Sequence, residues 1–268
     1  MDKALRHRVN AARVAVKNQL SFFARQFGQV PSEWKEDETR VTFADFAISE
    51  RILAELRNIF PGDDFCSEES NPLDDSMPLE ARYAWVLDPI DGTNNYALGI
   101  PFCGISLALL KRGEPVYGLI HDFARGRLIE GGPGHGLFDG GRRVSPPPPD
   151  RPFDPKTGVV GMHFPLPEER CAQLRPLLTA YRVRSLGSGA LNFAYAALGL
   201  LDGCADYKVK VWDIAAAYAL ARAAGLEFHP LGRTVFPLKT FHQRAPSTPY
   251  IAGSAAFCAA MRRWGAIR

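Results

Sequence analysis

Apolar residues in the first stretch of the chain fall at Leu5, Val9, Ala12, Val16, Leu20 and Phe23, set against Arg, Lys and Gln. Steps of three and four put them on one stripe of a helix over 4–27, facing a core. A second helix is expected over 43–59, closed by Pro61-Gly62, with the polar Lys35-Glu36-Asp37-Glu38 as a loop between the two. The period then changes. Residues 83–88 (YAWVLD) are an apolar run that ends abruptly in an acid, which reads as a buried strand. From 102 to 144, short strand-like runs are separated by Arg112-Gly113-Glu114, Ala124-Arg125-Gly126 and Gly140-Gly141, a pattern that predicts an antiparallel meander.

The prolines at 146–149 are stiff and poor in backbone donors, so they mark a seam. Beyond them, strands near 158–163, 182–186, 203–209 and 249–252 alternate with helices near 167–180, 189–200, 213–225 and 254–264. An α+β half over 1–145 therefore precedes an α/β half over 150–268. The two are expected to pack as a single domain, 1–268, without internal repeats.

Composition narrows the function. At 268 residues and 46% hydrophobic, the chain can bury a core without staples. A net charge of +3, with only short basic clusters, argues against a nucleic-acid partner. Five scattered cysteines without a C-x-x-C pair read as buried thiols in a reducing compartment. The N-terminal Met-Asp-Lys-Ala-Leu-Arg lacks the apolar core of a secretory signal, and no apolar run reaches ~18 residues. A soluble, cytoplasmic protein with no membrane contact is the expectation. His121, His163, His229 and His242 show no ligand spacing and receive no catalytic role.

The acids are placed where strands should end: Ser67-Glu68-Glu69-Ser70, Asp88-Pro89-Ile90-Asp91-Gly92-Thr93, and Trp212-Asp213. Ligands of sheet proteins gather beyond the carboxyl ends of strands. Hard oxygen donors without His or Cys select Mg²⁺, Mn²⁺ or Ca²⁺ over zinc. Asp88 closes a buried strand, where an unpaired charge is costly without a cation. Gly92-Thr93 opens a short helix whose first amides suit a phosphate oxygen. Each acid also has a plainer reading. Asp45 fits a capping box with Thr42, Glu68 and Glu69 a solvated turn, Asp213 a helix N-terminal acid, and Thr93 a simple cap.

E-E-S, then D-P-I-D-G-T, then W-D-x-A-A, in this order, resembles the inositol monophosphatase family of Mg²⁺-dependent, lithium-sensitive sugar phosphatases. The likeness extends to Val41-Thr42 with Asp45 upstream and to Leu186-Gly187-Ser188 downstream. It implies an α+β fold, the layered αβαβα sandwich of the inositol monophosphatase and fructose bisphosphatase type. It also implies hydrolysis of inositol monophosphate or a similar small polyol phosphate by metal-activated water. By the same resemblance, Glu68, Asp88, Asp91, Asp213 and the Ile90 carbonyl hold two or three Mg²⁺. Mn²⁺ can substitute, and Ca²⁺ and Li⁺ inhibit.

Thr93, bonded to Asp45, would orient the water, with Glu69 in support. Gly92 and Thr93 would grip phosphate. Gly187, Ser188, Asp206 and Lys210 would meet the substrate, Asp206 standing where the family usually has Glu. Lys208 reads as surface charge, and Lys210 could be the same. Lys35 matches a lysine lining a third metal site, or is a solvated loop charge. A homodimer is the family habit. Relatives with these motifs hydrolyse histidinol phosphate, fructose 1,6-bisphosphate or phosphoadenosine nucleotides, or serve as RNA-polymerase-associated antitermination factors. The nucleotide role is disfavoured, because Asn94-Asn95-Tyr96 does not resemble the K-E-F that usually follows D-G-T there, and the other roles stay open.

Overall fold

The computed structural model describes residues 1–34, 40–69, 76–148 and 151–267. Lys35 lies outside them. Helices Lys3–Gln26 and Phe43–Ile59 lie where the apolar stripe places them. The stripe residues Leu5, Val9, Ala12, Val16 and Phe23 are all buried.

Seven strands form the first sheet. Five consecutive strands from Gly104 to Val144 meander antiparallel, as expected, and continue into Tyr83–Asp91, with Asp64–Ser67 added parallel at the edge. Alternation along these strands sorts side chains by size. Trp85, Leu87, Leu107 and Leu109 face the first two helices, whereas Ala84, Val86, Ala108 and Leu110 face the opposite way. On that second face lie helices Gly189–Ala197 and Val211–Ala224, the latter rich in alanine. The approach is very close. A methyl group on Gly118 would come 2.1 Å from the Ala216 carbonyl oxygen.

The same two helices cover the inner face of a five-stranded sheet through Cys204, Tyr250 and Ala252. Its order runs from Arg182–Arg184 through Val159–Met162, Gly203–Asp206 and Tyr250–Gly253 to Glu227–Pro230. The first three are mutually parallel and the last two pair antiparallel. Val160, Met162, Ala205 and Ile251 on its outer face pack against Leu174, Leu177, Phe257 and Met261. The succession of helices, sheet, helices, sheet and helices is the expected αβαβα sandwich.

Local expectations needed adjustment. The helix expected over 167–180 is two short ones, Glu168–Gln173 and Arg175–Ala180, because Pro176 opens the second instead of continuing the first. The strand expected over 203–209 stops at Asp206. Helix Val211–Ala224 begins two residues before the expected 213. Strand Glu227–Pro230 and the hairpin of Ser32–Trp34 with Arg40–Thr42 were not anticipated. All five thiols are free and four are buried. Among the described residues no helix is long and apolar enough to cross a membrane.

Candidate active site

Strand Tyr83–Asp91 is buried along its whole length and carries two acids at its carboxyl end. Asp88 pairs across to Ser106 and Asp91 to Gly104, with a bulge between them. Pro89 contributes no amide to the ladder, which suits it to the bulged position. The kink lets both carboxylates turn to the same side. Asp88 Oδ1 accepts from the Ile90 amide at 3.1 Å.

Asp91 is held by the start of helix Gly189–Ala197. Its oxygens accept from the amides of Gly189 and Ala190, each at 3.1 Å, and from the Ser188 hydroxyl. A helix N-terminus is electropositive, so it is a natural seat for one carboxylate. Asp213 arrives from the other middle helix and accepts from the Lys210 amide at 2.7 Å. One oxygen from each of Asp88, Asp91 and Asp213 lies within 4.8 Å of the others. Glu68, at the end of the edge strand, donates its amide to Leu87 O at 3.2 Å, while its own carbonyl accepts from Gln243.

The electrostatics follow from this crowding. Burial, then the charges of Glu68, Asp91 and Asp213, push Asp88 well above the usual carboxylate range. Asp213 rises for the same reasons, against the Lys210 amide. Burial pushes Asp91 up to about 6, opposed by Ser188 and the helix amides. Among the described residues no Lys, Arg or His forms an ion pair with these three acids. Buried like charges in such proximity need a cation. All-oxygen donors of this type fit Mg²⁺ or Mn²⁺.

Beside this cluster, Thr93 begins the helix Thr93–Leu98. Its hydroxyl lies 2.9 Å from the Ile90 carbonyl and 3.3 Å from Asp45 Oδ1. Asp45 is fully buried and also closes the capping box, its Oδ2 accepting from the Thr42 amide at 2.7 Å and hydroxyl at 2.6 Å. The two readings of Asp45 are therefore compatible: one oxygen caps the helix and the other reaches Thr93. Gly92 sits at φ 84° with Phe102 O and Gly187 O only 2.9 and 3.1 Å from where a Cβ would be. Only glycine suits both that conformation and that space.

The remaining expected residues are placed as follows. Ser67 Oγ lies 3.4 Å from the Glu69 amide. Gly187 has φ 75° and packs against Asn95. Asp206 is 3% exposed, with Oδ1 accepting from the Lys208 amide at 3.0 Å. Lys210 Nζ donates to the Ala245 carbonyl at 2.7 Å, which ties it to a loop. Lys208 is exposed.

Two residues escaped the sequence reading. Asn95 donates to both Phe102 O and Leu186 O at 2.7 Å and so joins the two loops that flank Gly92. Its only local signal was a polar residue on the buried side of a short helix. Gln243 fastens the Glu68 segment from a distant loop, and no local pattern announces it. A second group, Glu227, His229 and Cys258, also gathers ligand-type atoms within 4.8 Å. Arg262 already occupies it, bonded to Glu227 at 2.5 Å and 3.1 Å from His229 Nε2.

Comparison with known proteins bears on the family and the fold. The sequence profile of the inositol monophosphatase family matches residues 1–257. An inositol-1-monophosphatase of Mesorhizobium japonicum is 33% identical over 208 residues, covering 75% of this chain and 77% of the relative. A fructose-1,6-bisphosphatase of Pyrococcus furiosus is 33% identical over 191 residues, covering 70% and 68%. The crystal structure of an IMPase/NADP phosphatase complexed with Mg²⁺ and phosphate superposes with a TM-score of 0.83 at 23% identity, covering 98% of this chain and 96% of that one. The family match places the chain among phosphatase hydrolases that act on small phosphorylated substrates, and the superposition shares their layered fold. More closely, it belongs to the inositol monophosphatase family.

Proposed function

We propose that this chain is a Mg²⁺-dependent phosphomonoesterase that hydrolyses inositol monophosphate or a similar small polyol phosphate. The observation that carries the reading is the convergence of the buried Asp88 and Asp91 with the half-buried Asp213, without an ion-pair partner among the described residues. With Glu68 and the Ile90 carbonyl they would hold two or three ions. Bound there, Mg²⁺ supplies positive charge for the phosphoryl oxygens and lowers the pKa of a water.

The chain itself does the rest. Thr93 orients the attacking water through its hydroxyl, and Asp45 fixes that hydroxyl at 3.3 Å while able to take up a proton. Glu69 supports the same corner. The left-handed turn at Gly92 exposes the first amides of the short helix, and these grip the phosphate. Gly187, Ser188, Asp206 and Lys210 border the substrate. Lys210 does so from a side chain anchored to Ala245, so it shapes the mouth more than it follows the ligand. The homodimer expected of the family rests on the likeness alone and is measured by light scattering. The compartment is proposed to be the cytoplasm.

A panel of phosphate esters with Mg²⁺ tests the reading. Inositol 1-phosphate should be turned over, lose turnover in EDTA, recover with Mg²⁺ or Mn²⁺, and be inhibited by Ca²⁺ and by millimolar Li⁺. Fructose 1,6-bisphosphate belongs in the panel because of the Pyrococcus relative. Histidinol phosphate and 3′-phosphoadenosine nucleotides complete it, since enzymes with the same acidic motifs hydrolyse them. Absence of turnover on every ester, with a folded protein that binds Mg²⁺, would leave the non-catalytic, antitermination-type reading in its place.

A further inference from the structure

We infer that His163 is a specificity-determining residue, which reads a substrate hydroxyl jointly with Asp206. The inference rests on the phosphomonoesterase reading above and extends it to a residue that the sequence pattern passed over.

Topology brings the two together. Strands Val159–Met162 and Gly203–Asp206 run parallel, with Met162 opposite Ala205. His163 and Asp206 therefore come next to each other at the carboxyl ends, where parallel strands present ligand-binding groups. The Asp206 carboxylate is divided in its partners. Oδ1 accepts from the Lys208 amide, but Oδ2 is buried and has no hydrogen-bond partner among the described residues. A buried carboxylate oxygen left in this state is costly, and such orphans call for a functional account.

His163 Nδ1 lies 3.9 Å from that oxygen, too far for a direct hydrogen bond. The gap is the right width for a bridge. An oxygen about 2.8 Å from each atom would close it with an angle near ~90°. A hydroxyl meets both demands at once, donating to Asp206 Oδ2 and accepting from a protonated Nδ1. The histidine side chain is 37% exposed, so a ligand reaches it from solvent, whereas Asp206 waits beneath.

The pair stands one residue away from the acid cluster. Gly189, whose amide donates to Asp91, would carry a Cβ 3.9 Å from Asp206 Oδ2 and 3.5 Å from the Asp213 Cβ. That Cβ would also press on Val209 at 3.0 Å. The cluster and the pair are thus close enough for one small molecule to set its phosphate at the acids and a hydroxyl at His163. The substrate class is a phosphate monoester with a free hydroxyl close to the phosphorylated carbon. A site built this way discriminates against esters without the hydroxyl, because both of its polar groups are then left unpaired.

The test compares inositol 1-phosphate with 4-nitrophenyl phosphate in saturating Mg²⁺. His163→Ala should lower kcat/KM for the inositol ester about 10-fold, the size of one hydrogen bond in a desolvated site, and change the aryl ester less than about threefold. His163→Asn keeps a donor near the Nδ1 position and should recover most of the loss. Asp206→Ala should show the same selectivity, and the double variant should be little worse than the poorer single one. Equal loss on both esters, no loss on either, or no recovery with Asn in a protein of unchanged melting temperature would overturn the inference. So would a wild-type enzyme indifferent to the hydroxyl. Wild-type turnover separates the two levels. If neither ester is turned over, the phosphatase reading fails. If the inositol ester is turned over and His163→Ala is silent, only the role of His163 fails.

Discussion

The molecule buries carboxylates in two ways. Where helix Lys3–Gln26 crosses the first sheet, Asp63 takes two bonds from the Arg8 guanidinium, at 2.8 and 2.7 Å, and one from the Trp85 indole at 3.0 Å. Glu130 is met there by Arg13 at 2.6 Å and by the Tyr117 hydroxyl at 3.2 Å. At the other end of the same sheet, Asp88 and Asp91 are just as buried. They are joined by a third acid instead of a base. In the first region the polypeptide carries its own counter-charge, and the result is architecture. In the second the counter-charge has to come from outside. Electrostatic satisfaction from within marks a structural acid, and its absence marks a site.

Asp91→Asn should break the comparison most visibly. It keeps volume and removes charge, so turnover should fall by at least about 100-fold, as expected when a group facing developing charge is lost. The sign on stability should be the reverse of ordinary damage. A carboxyl raised in the folded state loses stability as pH climbs from its unfolded value toward about 6, and stays destabilising above that. In EDTA at pH 7 the variant should therefore unfold at no lower urea concentration than the wild type. Near-normal activity, or a large loss of metal-free stability, would refute the assignment.

Arg13→Ala should do the opposite. It strands Glu130 without its cation and should cost about 2–3 kcal/mol, below the full cost of a buried pair because Arg13 is one-third exposed. The kcat should stay within about twofold, and Mg²⁺ should not rescue the unfolding midpoint.

The last effect is that of a third kind of buried group. His121 packs against Phe23 and Phe123, and burial lowers its pKa to about 4. An imidazole with a depressed folded-state pKa contributes stability that is lost as pH falls from 6.5 toward 4, since only the unfolded chain takes up the proton. Between pH 7 and 4.5 this loss should be on the order of 2–3 kcal/mol. His121→Leu should remove it. Urea midpoints of variant and wild type that fall in parallel would show that His121 has no part in the pH response.

The candidate acids stood out because each belongs to a short contiguous motif: Glu68 and Glu69 together, Asp88 with Asp91, and Asp213 behind Trp212; the structure gathers the last three. The switch between helical and strand periods separated an α+β half from an α/β half, whereas the five-layer sandwich followed from the family resemblance that the motifs carry. Other features were not. Glu227–Pro230 reads Glu-Phe-His-Pro, an edge strand whose pattern is set by its neighbour Tyr250–Gly253 and not by alternation. Asn95 and Gln243 act on carbonyls from remote loops, so their importance exists only after folding. His163 was set aside for lack of ligand spacing, although its relevant neighbour is 43 positions away, across a parallel pair. The tight contact of Gly118 with Ala216 is similarly a property of two elements, invisible in either alone.

The middle layer of two helices has a consequence for biogenesis. Asp91 is seated by Gly189 and Ala190, and Asp213 comes from a helix 122 positions further along the chain. A nascent or partly folded chain in which only the first sheet has formed holds Asp88 and Asp91 with neither the helix N-terminus nor the third acid. If the proposed ion binds there, its high-affinity capture can begin only when the second half has docked, so it would act as a latch on the last step of assembly. Divalent-ion starvation would then show first as a quality-control problem. Unlatched molecules would reopen at the middle layer and expose the alanine-rich helix to proteases.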